Sequence, residues 1–175
     1  MSLWSSFFGQ RSQSEPPSTP ADFEHITIAV HALMTVAMLL VSLPTDPVMQ
    51  IRRRQRIAAC AFGAADWMHQ NMPRQMSEPD WMQFSFGITA KYFMLGDSCA
   101  DAGVDPEAVG KAIAEVVTGQ GDLPDCMRVG AMSLRDWLSN SSEGAPARVS
   151  RCVMEWNEPP LSSPTKSSGG ASTMY

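Results

Sequence analysis

The stretch "ITIAVHALMTVAMLLVSLPTDP", residues 26–47, is the most apolar part of the chain and carries no charged residue before its second-last position. A membrane-spanning helix needs about 20 predominantly apolar residues, and residues 26–43 come close to that length before a proline ends the segment. On a helix, however, Thr27, His31 and Thr35 would share one face because they recur every four residues. A polar stripe is not expected on a helix that faces lipid, so the pattern favours a helix at the centre of a bundle over a membrane span.

Composition restricts the class of protein. The chain has 175 residues, of which 44% are hydrophobic and 18% are charged, which is enough for one domain with a sizeable core. Its formal net charge is −5, whereas general binders of nucleic acid or anionic membranes accumulate Lys and Arg. The composition therefore predicts one folded domain and argues against a general polyanion binder.

Helix signals follow one another along the body of the chain. Residues that suit an N-cap precede apolar residues at helical spacing, and prolines stand in the first turns. The predicted helices cover about residues 22–43, 47–72, 78–95, 106–118 and 123–138, with Asp22, Asp46 and Asp105 as caps and Ser77 opening the third. The alternation of half-buried strands is nearly absent, and only residues 148–156 leave a choice between a short strand and a last helical turn.

The predicted fold class is all-α: a single compact bundle of about five helices packed around residues 26–43. Residues 1–20 are predicted to be a flexible N-terminal tail and residues 158–175 a disordered C-terminal tail, because polar and Pro-rich segments bury little apolar surface. The helical domain lies between them, at residues 21–157, and residues 139–147 are predicted to be a loop.

The first ten residues, MSLWSSFFGQ, combine large apolar side chains with the polar tether that follows them. Leu3, Trp4, Phe7 and Phe8 would gather on one face of a short helix. Such a segment suits docking into the groove of a partner protein, so these four are predicted partner-binding residues. The alternative, that the segment folds back onto its own domain, stays open.

The basic residues cluster in one place, QIRRRQR at residues 50–56. Arg52 and Arg56 would share one helix face at i,i+4, while Arg53 points elsewhere. Arg52, Arg53 and Arg56 are therefore predicted basic contacts for phosphates or for an acidic patch of a partner. The alternative interpretation is a solvated helix flank that balances the acidic segment at residues 78–125.

Sequence signatures of catalysis and of metal binding are missing. There is no HExxH, no Gly-rich phosphate loop and no GxSxG motif, and no two of Cys60, Cys99, Cys126 and Cys152 stand at a metal-knuckle spacing. Residues 96–107 include carboxylates spaced like those of a calcium loop that starts at Asp97, but the sixth residue of that loop would be Ala102 instead of Gly and the twelfth Ala108 instead of Glu. The sequence thus predicts no enzyme activity, no cofactor and no metal, with free thiols in a reducing cytoplasm.

The function that these patterns favour is a non-enzymatic protein–protein interaction module. An adaptor, inhibitor or assembly chaperone would suit its small size, as an accessory factor of bacterial, phage or plasmid origin. The expected partner is another protein. A small nucleic-acid-binding regulator that uses the arginine helix is one alternative, and a membrane-associated component that uses residues 26–43 is another.

Overall fold

A computed structural model describes residues 20–95, 105–139 and 144–154 of the chain. These residues form six α-helices and no strand: α1 Pro20–Met38, α2 Pro47–Asn71, α3 Glu78–Met94, α4 Pro106–Val117, α5 Leu123–Leu138 and α6 Ala145–Met154. The all-α prediction is confirmed, with one helix more than expected. Residues 148–154 of the ambiguous stretch belong to α6, which also includes the last three residues of the predicted loop. The two predicted tails lie almost wholly outside the described residues.

Short-range capping explains why α2, α3 and α4 begin where the sequence predicts. The Asp46 side chain accepts the Met49 amide at 2.8 Å, the Ser77 hydroxyl accepts the Asp80 amide at 3.3 Å, and Asp105 accepts the Glu107 amide at 3.2 Å. Each of these helices also carries a proline in its first turn. The caps therefore satisfy amides that have no partner inside the helix.

Helix α1 differs from its predicted bounds at both ends. It begins at Pro20, so Asp22 lies inside the first turn, past the capping position. It ends at Met38 instead of continuing to Leu43. The amide of Leu40 donates to the Ala37 carbonyl at 3.2 Å, so the last turn is tighter than an α-helical turn. Pro44 follows shortly after and disfavours helical backbone in the residue before it.

The centre of the bundle is α2, and the prediction that the other helices pack around residues 26–43 is wrong. Helix α2 contacts each of the other five helices, whereas α1 leaves part of its surface exposed. Small side chains make the close packing around α2 feasible. Its buried small residues are Ala58, Ala59, Cys60, Ala61, Gly63, Ala64 and Ala65.

Two glycines allow α2 and α5 to cross at backbone contact. A Cβ atom on Gly63 would lie 2.0 Å from the carbonyl oxygen of Met127, and one on Gly130 would lie 1.9 Å from that of Cys60. Atoms cannot approach so closely, so only glycine fits at either position. This crossing fixes the distance between the central helix and α5.

His69 couples the end of α2 to the start of α3. Its Nε2 atom accepts a hydrogen bond from the Met76 amide at 3.1 Å, and its ring stacks on Trp81 with the ring centres 4.2 Å apart. Burial lowers the pKa of His69, and the carboxylate of Asp66 offsets part of that shift. The neutral imidazole is the form that can accept the amide.

We expect acidification from about pH 7.5 to 5.5 to destabilise the fold through His69. Because its folded pKa is lowered, the unfolded chain binds the proton first as the pH falls, and the free energy of unfolding decreases. Denaturant melts across this range measure the effect. The His69→Gln variant keeps an acceptor without a titrating group, so its stability should vary less with pH; an identical pH dependence in both proteins would contradict the assignment.

Candidate functional site

Helix α1 carries more apolar surface than the fold buries. Its inner residues include Val30 and Leu33, which are fully buried. On its outer side Ile28 is 58% exposed, and in the turn that follows the helix Leu39 is 80% and Leu40 57% exposed. A surface helix normally turns polar residues toward water. The outward-facing residues here are apolar instead, which is typical of a surface that another molecule covers.

A groove runs between α1 and α3 beside that exposed surface. It consists of two cavities, of about 430 Å³ and 550 Å³, which share Lys91 and Tyr92 in their walls. The first cavity begins at Phe23 and Thr27, near the start of α1. The second is mostly apolar and is lined by Met34, Met38, Leu39, Val41, Leu43, Ile57 and Leu95, with His31 and Thr35 at its polar edge.

Polar groups lie where the two cavities meet. The Tyr92 hydroxyl is 3.2 Å from Nδ1 of His31, and burial raises the pKa of Tyr92 to about 12. The phenol therefore stays protonated, and its hydroxyl forms a hydrogen bond with the imidazole. The ammonium group of Lys91 lies 5.9 Å from the centre of the Tyr92 ring, and no carboxylate of the described segments forms an ion pair with it. The junction thus offers a cation beside the mostly apolar second cavity, whereas Thr27, Asp80 and Gln83 contribute polar groups to the first.

The structure separates the predicted basic residues. Arg52 is exposed and lies 3.9 Å from Glu115, and Arg53 donates to the Ser42 carbonyl. Arg54 and Arg56 are buried, so the solvated-flank interpretation is wrong for both, and Arg56 does not share an exposed face with Arg52. They are buried because α2 is central and packs against neighbours on both flanks.

Arg54 forms hydrogen bonds with the C-terminal end of α3. Its Nη1 atom donates to the carbonyls of Phe93 at 3.1 Å and Met94 at 2.8 Å. Carbonyls at a helix C-terminus have no partner inside the helix and carry partial negative charge. A guanidinium meets both needs, so Arg54 anchors α3, and with it one wall of the groove, to the central helix.

Arg56 contacts one member of a cluster of three cysteines that come from three helices. Its Nε atom lies 3.4 Å from Sγ of Cys126 on α5, and Sγ of Cys152 on α6 lies 3.6 Å from the same sulfur. The Cys60 thiol on α2 interacts with both. Hydrogen bonds from Cys152 and Cys60, aided by Arg56, lower the pKa of Cys126. The contact with Cys126 in turn raises the pKa of both Cys60 and Cys152.

No pattern in the sequence signals this thiol cluster, because its members lie far apart along the chain. Cys99 lies outside the described residues, as do Leu3, Trp4, Phe7 and Phe8. In the described ranges no group of three or more His, Cys, Asp and Glu residues is arranged to hold a metal ion. Contacts among three helices bring the clustered thiols together.

Two further findings come from the search for membrane-spanning helices and from comparisons with known proteins. Among the helices of the described segments, none combines the length and the apolar character needed to cross a bilayer. No protein-family model, curated protein or solved structure matches the chain. Its function is therefore inferred from its own surface and chemistry.

Proposed function

We propose that the chain is a non-enzymatic interaction module that binds an apolar helical segment of another protein along α1 and the groove between α1 and α3. The observation that carries this proposal is the exposed apolar surface at Ile28, Leu39 and Leu40, of which Leu39 also lines that groove. Contiguous apolar surface beside a concave groove is typical of protein-binding sites. Leu39 is the residue expected to contribute most.

Lys91 specifies the chemistry of the partner. It stands at the junction of the two cavities without an ion-paired carboxylate from the described part of the chain. A partner helix that places Asp or Glu there would form a partly desolvated ion pair, which adds specificity. The part of α1 that lines the groove runs from Phe23 to Met38, which corresponds to about 20 Å, or some four turns, of partner helix.

Another protein suits this groove better than a second copy of the chain. Two copies that met about a two-fold axis at the junction of the cavities would contribute the same patch. Such an arrangement would bring both Lys91 ammonium groups together at that point. We therefore commit to a different protein as the occupant.

Other features are compatible with this proposal. The burial of Arg54 and Arg56 leaves less of the basic cluster for phosphate contacts, so it favours the protein partner over the nucleic-acid alternative. Leu3, Trp4, Phe7 and Phe8 stay predicted as a second docking element for the same partner. The free thiols of the described segments suit a reducing cytoplasm, which is the location we propose.

Co-purification of the tagged full chain from its native host tests the proposal with a matched pair of variants. Leu39→Glu places a charge in the groove wall, and Leu138→Glu places one at another exposed leucine, 48% exposed, that lines neither cavity. We expect one protein to co-purify with the wild type and with Leu138→Glu, and its amount to fall at least about tenfold with Leu39→Glu.

Lys91→Glu supplies the second arm of this test. It should weaken the same interaction, and a compensating Glu→Lys change in the partner should restore it. Equal recovery of the partner with Leu39→Glu, Lys91→Glu and Leu138→Glu would place the interaction elsewhere and contradict the proposal.

A further inference from the structure

The thiol cluster around Cys126 has the arrangement of a reactive site. Cys126 is fully buried, and its sulfur has two neighbours at fixed distances, the Arg56 Nε atom at 3.4 Å and the Cys152 sulfur at 3.6 Å. All three clustered cysteines are free thiols. Two sulfurs in van der Waals contact need to approach only to about 2.05 Å to form a disulfide.

The charge of Arg56 explains why a thiolate is stable at this position. Arg56 is only 9% exposed, and a buried guanidinium needs a counter-charge. The nearest carboxylate, Asp122 at 3.4 Å, is half exposed to water. The sulfur of Cys126 lies equally close and is buried, so a thiolate there pairs with the guanidinium where water screens the pair least.

Arg56 also has a second buried hydrogen-bond donor near the cluster. Its Nη1 atom is buried and makes no hydrogen bond within the described residues. A buried guanidinium N–H next to a thiolate site can stabilise negative charge that develops on a leaving oxygen. The groups that act on Cys126 are Arg56 and Cys60 from α2 and Cys152 from α6, while Asp122, just before α5, pairs with Arg56.

We propose that Cys126 and Cys152 form an oxidant-reactive dithiol that hydrogen peroxide oxidises stoichiometrically to a disulfide. The Cys126 thiolate attacks one peroxide oxygen, the O–O bond breaks, and hydroxide leaves, so that sulfur is oxidised to a sulfenic acid. The Cys152 thiol then attacks that sulfur, its proton leaves with the displaced hydroxyl as water, and a Cys126–Cys152 disulfide closes. The hydroxide takes up the proton that Cys126 released on ionising, so one S–S bond forms while peroxide is reduced to two waters.

The positions of Cys152 and Cys60 determine how peroxide reaches Cys126 and how the disulfide can exchange. Cys152 belongs to the ten-residue helix α6, is partly exposed and lies beside Cys126 of α5. A local opening of this short helix admits a molecule as small as peroxide at less cost than global unfolding. Cys60 is fully buried on α2, where its thiol can attack the disulfide and exchange with Cys152.

Peptide mapping of the full chain tests the proposal. The reduced protein is treated with increasing hydrogen peroxide, blocked with an alkylating agent and analysed without reductant. We expect the Cys126–Cys152 disulfide to become the main oxidised species before Cys99 is modified. In the Cys60→Ser/Cys152→Ser double variant, dimedone should trap a sulfenic acid on Cys126. Oxidation of Cys99 while Cys126 and Cys152 stay reduced would overturn the proposal.

The pH dependence of the reaction gives a second readout that needs no variant. A thiol of ordinary pKa loses reactivity by about tenfold for each pH unit below neutrality. We expect disulfide formation in the wild type to change little between about pH 6 and 8, and Arg56→Met to react about tenfold more slowly at pH 6. A wild-type rate that falls tenfold per pH unit would overturn the proposal, whether or not Arg56→Met folds.

Discussion

Replacing Gly130 by alanine is expected to lower the free energy of unfolding by about 3 kcal/mol or more. The added Cβ atom would lie 1.9 Å from the carbonyl oxygen of Cys60, and its other nearest neighbours are also backbone atoms. No side-chain rotation relieves such an overlap, so α5 must move away from α2. That displacement opens the most extensive helix contact in the bundle.

A matched glycine separates this packing effect from helix propensity. Gly110 lies in α4 and is exposed, and a Cβ atom added there would meet no other part of the described structure within 4 Å. Gly110→Ala should therefore stabilise the chain by about 0.5–1 kcal/mol, since alanine is the better helix former. Urea melts of the two variants measure the contrast. Similar stabilities for Gly130→Ala and Gly110→Ala would show that α2 and α5 do not cross at backbone contact.

Replacing Arg54 by methionine is expected to cost about 3 kcal/mol. Methionine fills a similar space but removes the donor to the carbonyls of Phe93 and Met94. Both carbonyls stand at the end of α3, where the helix itself offers no partner. The loss should loosen the end of α3, which carries Lys91 and Tyr92 into the groove.

Arg52 provides the control for this substitution. It lies on the same helix, two residues earlier, but is exposed and 3.9 Å from Glu115. Because exposed ion pairs contribute little, Arg52→Met should change stability by less than about 1 kcal/mol. Chemical denaturation of both variants measures the difference. An equal loss in the free energy of unfolding from Arg52→Met would show that the effect of Arg54 does not depend on its burial.

Local signals in the sequence are sufficient to predict most of the helices. Asp46, Ser77 and Asp105 act within a few residues of themselves, so their capping can be inferred without knowing the fold. The predicted end of α1 is wrong because the turn at Leu40 tightens ahead of Pro44, and nothing in the apolar pattern marks where that turn begins.

Long-range packing decides the features that local patterns do not show. Residues 26–43 are the most apolar, yet α2 is central because alanine and glycine let its neighbours approach closely. Burial of Arg54 and Arg56 depends on what α3 and α5 place beside them. The meeting of Cys60 with Cys126 depends on the crossing of α2 and α5, which no local pattern encodes.

Site-specific photo-crosslinking from position 39 tests the proposed binding surface most directly. The full chain, with a photo-reactive residue replacing Leu39, is irradiated in its native host, and the products are identified by mass spectrometry. We predict a crosslink to one different protein that is lost when Lys91→Glu is added and is absent when the photo-reactive residue replaces Leu138. Crosslinks only to a second copy of the chain, or only to its own residues such as Trp4 or Phe8, would contradict the proposed binding surface.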